Sequence, residues 1–223
     1  MMIEPQSNRP AFAVLWDQDG VICDSGELHY QSWVTTFAEH GVSFDHDFFR
    51  RTFGMNNAGI IRLKLGDPTP EMIAKIGERK EILYRRMIPG HLQALPGVRD
   101  WLERLNAQGV PMAVASSAPL ENINDTLDEL EIRSYFQAIV SVAGRPGKPD
   151  PLVFLEAAER LGVPPERCIV IEDAIPGVEA ARRAGMKCIA VTTTNPAEAL
   201  QEADVVVERL DQLAEDVLIG LVG

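Results

Sequence analysis

The chain has 223 residues, 24% charged and 46% hydrophobic, enough for one globular core and a smaller second domain. Its 21 basic and 33 acidic residues give a net charge of −12, which argues against nucleic acid as a partner. Residues 1–10 lack the apolar core of a signal peptide, and the longest uncharged run, 105–120, falls short of the ~20 residues of a bilayer span; no membrane partner and a cytoplasmic location are expected. Cys23, Cys168 and Cys188 are odd in number and widely spaced, and read as reduced core thiols, not a disulfide framework or zinc site.

The first apolar run, 12–16, ends in Asp17-Gln18-Asp19-Gly20. Two carboxylates at i and i+2 repel each other. They are tolerable together if a divalent cation neutralises one and the other can hold a proton, an arrangement suited to phosphoryl transfer. Taken alone, the four residues are equally a solvated turn.

An insertion of about seventy residues follows, far longer than a single crossover needs. Asp24 with Glu27 has the form of a capping box and predicts a helix to Glu39. Further helices are expected over 47–52, 58–65 and 71–87, separated by Gly54, Gly66-Asp67-Pro68 and Pro89-Gly90, so that 23–96 forms an α-helical second domain. The division is echoed in charge: 23–96 holds nine basic and nine acidic residues, so the whole −12 belongs to the rest. A comparatively positive segment over an acidic base would suit a phosphorylated substrate, although most of Arg50, Arg51, Arg79, Lys80, Arg85 and Arg86 are expected to solvate helix faces.

Val98, Trp101, Leu102 and Leu105 follow the spacing of a core-facing helix, as do Phe154, Ala157, Ala158 and Leu161. Three more strand-like runs, 112–115, 138–142 and 168–171, lead to Ser116-Ser117, to Gly147-Lys148-Pro149-Asp150 and to Glu172-Asp173. Short buried strands alternating with helices predict an α/β fold, a doubly wound parallel sheet with helices on both faces. Ligands bind beyond the carboxyl ends of such strands, so all four polar groups would meet at one rim. Each has another reading on its residues alone: Ser116 could cap the following helix, Lys148 could be a solvated loop lysine, and Asp173 could be an N-cap.

LWDQDGVICDS, VASS, GKPDP and VIEDAIPGVEAARRAG resemble, in order and spacing, the four motifs of the haloacid dehalogenase superfamily, over a stretch from about Ala11 to beyond Ala190. The inserted helical segment is similar to the cap of its phosphatases and β-phosphoglucomutases. The resemblance implies a Rossmann-like core (1–22 and 97–223), with Asp17 the nucleophile and Asp19 the general acid and base. Ser116 would bind the transferring phosphoryl group, and Lys148 would neutralise it. Asp17, the Asp19 carbonyl and Asp173 would hold magnesium, with Glu172 ligating or orienting its water. Hard oxygen donors without His or Cys independently favour magnesium over zinc.

In the cap, His29 and Trp33 stand i, i+4 on the first helix, a pair also found in β-phosphoglucomutases, where the histidine contributes to proton chemistry and substrate contact. Without that likeness Trp33 is core and His29 a surface residue. Phe53-Gly54-Met55-Asn56-Asn57 resembles the cap loop that sets specificity. Gly54, Asn56, Asn57 and, at the sheet rim, Ser117 are thus candidate substrate contacts, although the two asparagines could equally shape the turn.

A mutase grips the second phosphate of a bisphosphorylated intermediate. β-Phosphoglucomutases do so with an arginine in the cap loop and a lysine after the serine motif; here those places hold Asn57 and Pro119. Arg62 or Lys64 would have to substitute. The expected activity is therefore hydrolysis of a small phosphorylated metabolite, most plausibly a sugar phosphate, with a phosphomutase as runner-up and a non-catalytic binding protein further behind. A dehalogenase does not need Asp19, and a phosphonate hydrolase needs a cap lysine that no context singles out among Lys64, Lys75 and Lys80. The sequence leaves the oligomeric state open; a monomer is compatible with all of these readings.

Overall fold

A computed structural model describes residues 12–222. The reading of residues 1–10 lies outside the described residues. Among them, six parallel strands form one sheet in the order β3-β2-β1-β4-β5-β6: β1 (Ala13–Trp16), β2 (Met112–Ser116), β3 (Ala138–Ser141), β4 (Cys168–Glu172), β5 (Lys187–Val191) and β6 (Val205–Val207). The chain winds outward from β1 to β3, then returns to the other side of β1 and winds outward again. β1 and β4 are therefore neighbours at the point where the winding reverses, the crevice where doubly wound sheets bind ligands. Register carries this to residue level: Trp16 pairs with Val114 and with Ile171, so the polar residues that end β1, β2 and β4 emerge side by side.

Alternation along the strands divides the core in two. One face presents Val14, Trp16, Met112, Val114, Ile169 and Ile171 to α5 (Val98–Ala107), α6 (Leu120–Glu129) and α9 (Glu215–Val222). The other presents Ala13, Leu15, Ala113, Ala115, Cys168 and Val170 to α7 (Leu152–Leu161) and α8 (Ile175–Arg183). The alanines of this second face leave the volume that Phe154, fully buried on α7, fills.

Four helices lie between β1 and α5: α1 (Gly26–Ala38), α2 (His46–Thr52), α3 (Asn57–Leu65) and α4 (Pro70–Met87). They enclose a separate cluster in which Trp33 stacks on Phe37 and Phe37 on Phe44, with Phe49, Ile60, Ile61 and Ile76 around them. α4 belongs to both cores, since Ile76 joins this cluster while Tyr84 joins that of the sheet. The outgoing and returning linkers run together, with the Leu95 amide donating to the Ile22 carbonyl at 2.9 Å.

Three expectations need correction. β5 and β6 were not anticipated. The capping box does not form: the N-cap of α1 is Ser25, not Asp24, with φ −100° and ψ −1°, and no side chain caps the helix; the Ser25 hydroxyl donates to Asp19. Lys80 does not solvate a helix face; it is 3% exposed.

Candidate active site

Asp17 leaves β1 with its amide donating to the Ile171 carbonyl, which extends the β1–β4 pairing by one residue and fixes the side chain at the rim. The Gln18 carbonyl then accepts from the amides of Val21, Ile22 and Cys23, a tight turn that needs Gly20 at φ +83°. Space also demands glycine: a Cβ at Gly20 would lie 2.0 Å from Asp173 Oδ2. At the end of β4 the same holds for Gly177, where a Cβ would stand 1.8 Å from Glu172 Oε1. The two glycines let one acid approach the turn and the other sit against the start of α8.

The carboxylates of Asp17, Glu172 and Asp173 lie within 4.8 Å of one another, all buried. Lys148 reaches in from the loop after β3 and donates to Asp17 Oδ1 at 2.7 Å and to Glu172 Oε1 at 2.6 Å. Glu172 Oε2 accepts from the amides of Asp173 (2.8 Å) and Ala174 (2.9 Å). Three acids thus crowd together with one ammonium, which donates to two of them. Burial outweighs Lys148 and pushes the Asp17 carboxyl up to about 7; burial, with Glu172 and Asp17 adding to it, also raises Asp173 well above its usual value. Lys148 is held charged, since Asp17 and Glu172 overcome its desolvation. This surplus of negative charge on hard oxygen donors is what a divalent cation would relieve.

Asp19 is differently placed. Its Oδ1 accepts from the Ser25 hydroxyl at 2.5 Å and lies 3.3 Å from His29 Nε2. Burial would raise Asp19, but His29, Ser25 and Lys80 together hold it well below the usual carboxylate range. His29 stacks on Tyr84, ring centroids 4.0 Å apart, and its Nδ1 lies 2.8 Å from Lys80 Nζ. Burial lowers Lys80, against the pull of Glu81 and Asp19; as an ammonium it only donates, which leaves Nδ1 to accept and turns Nε2–H toward Asp19.

Ser116 closes β2, 2% exposed, its Oγ accepting from the Ala118 amide at 3.1 Å; the helix after it is capped by Pro119 instead. Ser117 is exposed and faces the lysine loop, where a Cβ on Gly147 would lie 3.5 Å from its Oγ. Asp173 does not cap α8, whose N-cap is Ala174. Of the other expected substrate contacts, the Gly54 loop lies beside His29, the Phe53 and His29 ring centroids being 6.3 Å apart. Trp33 is 2% exposed within its aromatic cluster, Asn56 caps α3 by accepting from the Gly59 amide, and Asn57 donates to Glu81 Oε1 at 2.7 Å. Gly54, at φ +85°, has open space where a Cβ would be.

Several residues here went unread in the sequence. Thr194, in the loop after β5, donates to Asp173 Oδ2, and Asn195 Nδ2 donates to the Asp173 carbonyl at 3.0 Å. Lys80 and Glu81 are buried on α4, and Asn122 on α6 donates to Glu81 Oε2 at 2.6 Å. Lys80 carried a signal: Ile76, Lys80 and Tyr84 recur every four residues, so a lysine occupies the apolar stripe of its helix.

Comparisons with known proteins identify the family. A family profile described as haloacid dehalogenase-like hydrolase matches residues 14–191. A chloroplastic 5-amino-6-(5-phospho-D-ribitylamino)uracil phosphatase of Arabidopsis thaliana is 33% identical over 90% of this chain, which spans 55% of that protein's length. A phosphorylated carbohydrates phosphatase of Thermotoga maritima is 32% identical over 87% of this chain and 92% of its own. Among solved structures, β-phosphoglucomutase from Clostridium difficile superposes with a TM-score of 0.83 at 28% identity, covering 94% of this chain and 96% of that one. The chain belongs to the haloacid dehalogenase-like hydrolase family.

Proposed function

We propose that the protein is a magnesium-dependent phosphate monoester hydrolase acting on a small phosphorylated metabolite, a sugar phosphate, through an aspartyl phosphate on Asp17. The observation that carries this reading is the contrast between Asp17, in a buried cluster of three acids around Lys148, and Asp19, turned toward hydroxyl and imidazole donors. The similarity to the two phosphatases supports the substrate class.

A carboxylate oxygen of Asp17 attacks phosphorus, the bond to the leaving oxygen breaks, and Asp19 supplies that oxygen's proton. Water then attacks the acyl phosphate, gives its proton to Asp19, and releases inorganic phosphate and the Asp17 carboxylate. The surroundings that hold Asp19 ionised favour the second step directly. For the first, the proton that Asp19 takes from water in one turnover is the one it returns to the leaving oxygen in the next. Lys148 restrains Asp17 and meets the charge of the phosphoryl group, and Ser116 donates to it. Asp17, Asp173 and the Asp19 carbonyl would hold magnesium, which when bound neutralises phosphoryl charge. Glu172, its oxygens already engaged by Lys148 and two amides, suits an orienting role.

In this reading 23–96 is a cap over a core of 1–22 and 97–223, supported by its separate aromatic cluster and paired linkers. No helix among the described residues is long and apolar enough to cross a membrane. The buried, unpaired thiols of Cys23, Cys168 and Cys188 support the cytoplasm as its location.

The mutase alternative rests on the likeness to β-phosphoglucomutase. Against it, Asn57 is tied to Glu81 and the Lys64 ammonium lies 4.5 Å from the Phe48 ring centre. Incubation with β-glucose 1-phosphate and a trace of the 1,6-bisphosphate separates the two. Release of inorganic phosphate is expected; accumulation of glucose 6-phosphate would overturn hydrolysis in favour of the mutase. A panel of phosphate esters identifies the preferred substrate.

A further inference from the structure

Glu81 is a carboxylate 7% exposed, and the steps above give it no part. Its two oxygens take three donors from three different elements. Oε1 accepts from Asn57 at the start of α3 (2.7 Å) and from Lys80 beside it on α4 (3.1 Å), and Oε2 accepts from Asn122 on α6 (2.6 Å). Asn122, fully buried, is fixed in turn by Arg85, which donates to its Oδ1 at 2.9 Å. Burying a carboxylate is costly unless every lone pair is used, and a helix facing an apolar core has no packing need for one. The burial becomes intelligible through what Glu81 touches: Lys80 leads to His29, and His29 to Asp19.

We propose that Glu81 is a positioning residue, which holds Lys80 against His29 Nδ1 while Asn122 anchors it to the sheet side of the molecule. Seating of the helical segment on the sheet and presentation of His29 Nε2–H to Asp19 then form as one unit. The inference rests on the proposed roles of Asp17 and Asp19. It goes beyond them in linking the acid–base carboxyl to the contact between α4 and α6.

Glu81→Gln keeps the volume and one acceptor, but turns an amide donor toward the donating Asn122 Nδ2. The value of kcat/KM reports steps up to formation of the aspartyl phosphate, and only esters with poor leaving groups need a proton there. With saturating magnesium, Glu81→Gln is expected to lower kcat/KM for an alkyl phosphate about 10- to 100-fold while 4-nitrophenyl phosphate changes less than about threefold. Asn122→Leu is expected to shift the two substrates in the same unequal way. Equal losses on both esters, or no loss on either, would overturn the proposal.

A measurement on the unaltered protein guards against misfolded variants. Nitrogen-15 spectra of the His29 ring should show hydrogen on Nε2 and a bare, accepting Nδ1; hydrogen on Nδ1 would overturn the proposal. If the unaltered protein hydrolyses no phosphate ester, the hydrolase reading fails, while the ring spectrum of Glu81→Gln set beside that of the unaltered protein still tests Glu81, an unchanged His29 ring overturning the proposal.

Discussion

Asp17 and Asp19 leave the same strand two residues apart, and the fold gives them opposite company. Around Asp17 are two further acids and a single lysine, all supplied by the ends of strands and the loops after them. Around Asp19 are a hydroxyl, an imidazole and, one contact further, an ammonium, all supplied by α1, α4 and the linker before α1. One carboxyl is pushed up to about 7 and the other held down, although both stand in the same turn. A sheet rim collects residues distant in sequence, while a helical insertion lowered onto that rim adds a second set. Two like residues thereby acquire different chemistry.

Substitution of the two acids tests this contrast most severely. Asp17→Asn should lower turnover of every ester about 10,000-fold or more, with the melting temperature unchanged or raised because a crowded charge is removed. Appreciable residual turnover would remove Asp17 as nucleophile. Asp19→Asn should be selective: kcat/KM for alkyl phosphates should fall about 100- to 10,000-fold, and that for aryl phosphates with acidic leaving groups far less. If the two variants lose activity in parallel across leaving groups, the division of labour between the acids is wrong.

Next in size is the coupling of metal to pH. A carboxyl raised to about 7 in the fold, against 3.8 as its ordinary value, binds a proton across that interval that the unfolded chain does not. The metal-free protein should therefore lose stability as pH rises from about 4 to about 7, and magnesium should restore it by displacing the proton. With one proton displaced, magnesium affinity should fall about tenfold per unit below pH 7. Titration calorimetry at pH 6 and pH 8 checks this. Equal affinities at both would show that the acids around Lys148 do not carry the surplus charge assigned to them. Chelation should silence the enzyme and added magnesium revive it.

What could be read from the chain follows from where its information lies. Strands β1 to β4 were legible because each is an apolar run ending in residues whose chemistry is hard to explain otherwise. β5 is apolar after Lys187 and runs into three threonines, Thr192-Thr193-Thr194, but into no acid pair or lysine, and β6 is three valines between Asp204 and Glu208, too short to stand out. The omission propagated: without β5, nothing placed Thr194 and Asn195 at the rim. The Lys80 signal lay in plain view as a cation on an apolar stripe, but counting charges along the helix hid it. Asn57 and Asn122 offered no such signal, since their partner Glu81 lies 24 and 41 positions away and only packing of α3, α4 and α6 brings them together. The capping box failed for a local reason, since α1 begins one residue later than Asp24 would set it, with Ser25 at the N-cap.

The mildest test concerns how Asp173 is held. Thr194 donates its hydroxyl to Oδ2 and Asn195 holds the carbonyl of the same residue, while Gly20 leaves the carboxylate its space. Residues that orient a metal ligand without touching the metal commonly matter about 10- to 100-fold in affinity. Thr194→Val removes the donor at nearly constant volume, so Asp173 keeps its place but loses the hydrogen bond that favours its ionised form. Magnesium affinity should weaken about tenfold, at the lower end of that range because Asn195 still holds the backbone. At saturating magnesium kcat should return close to that of the unaltered protein. A variant that binds magnesium normally yet turns over slowly would instead place Thr194 in the reaction itself, and the loop after β5 would belong to the substrate side of the rim.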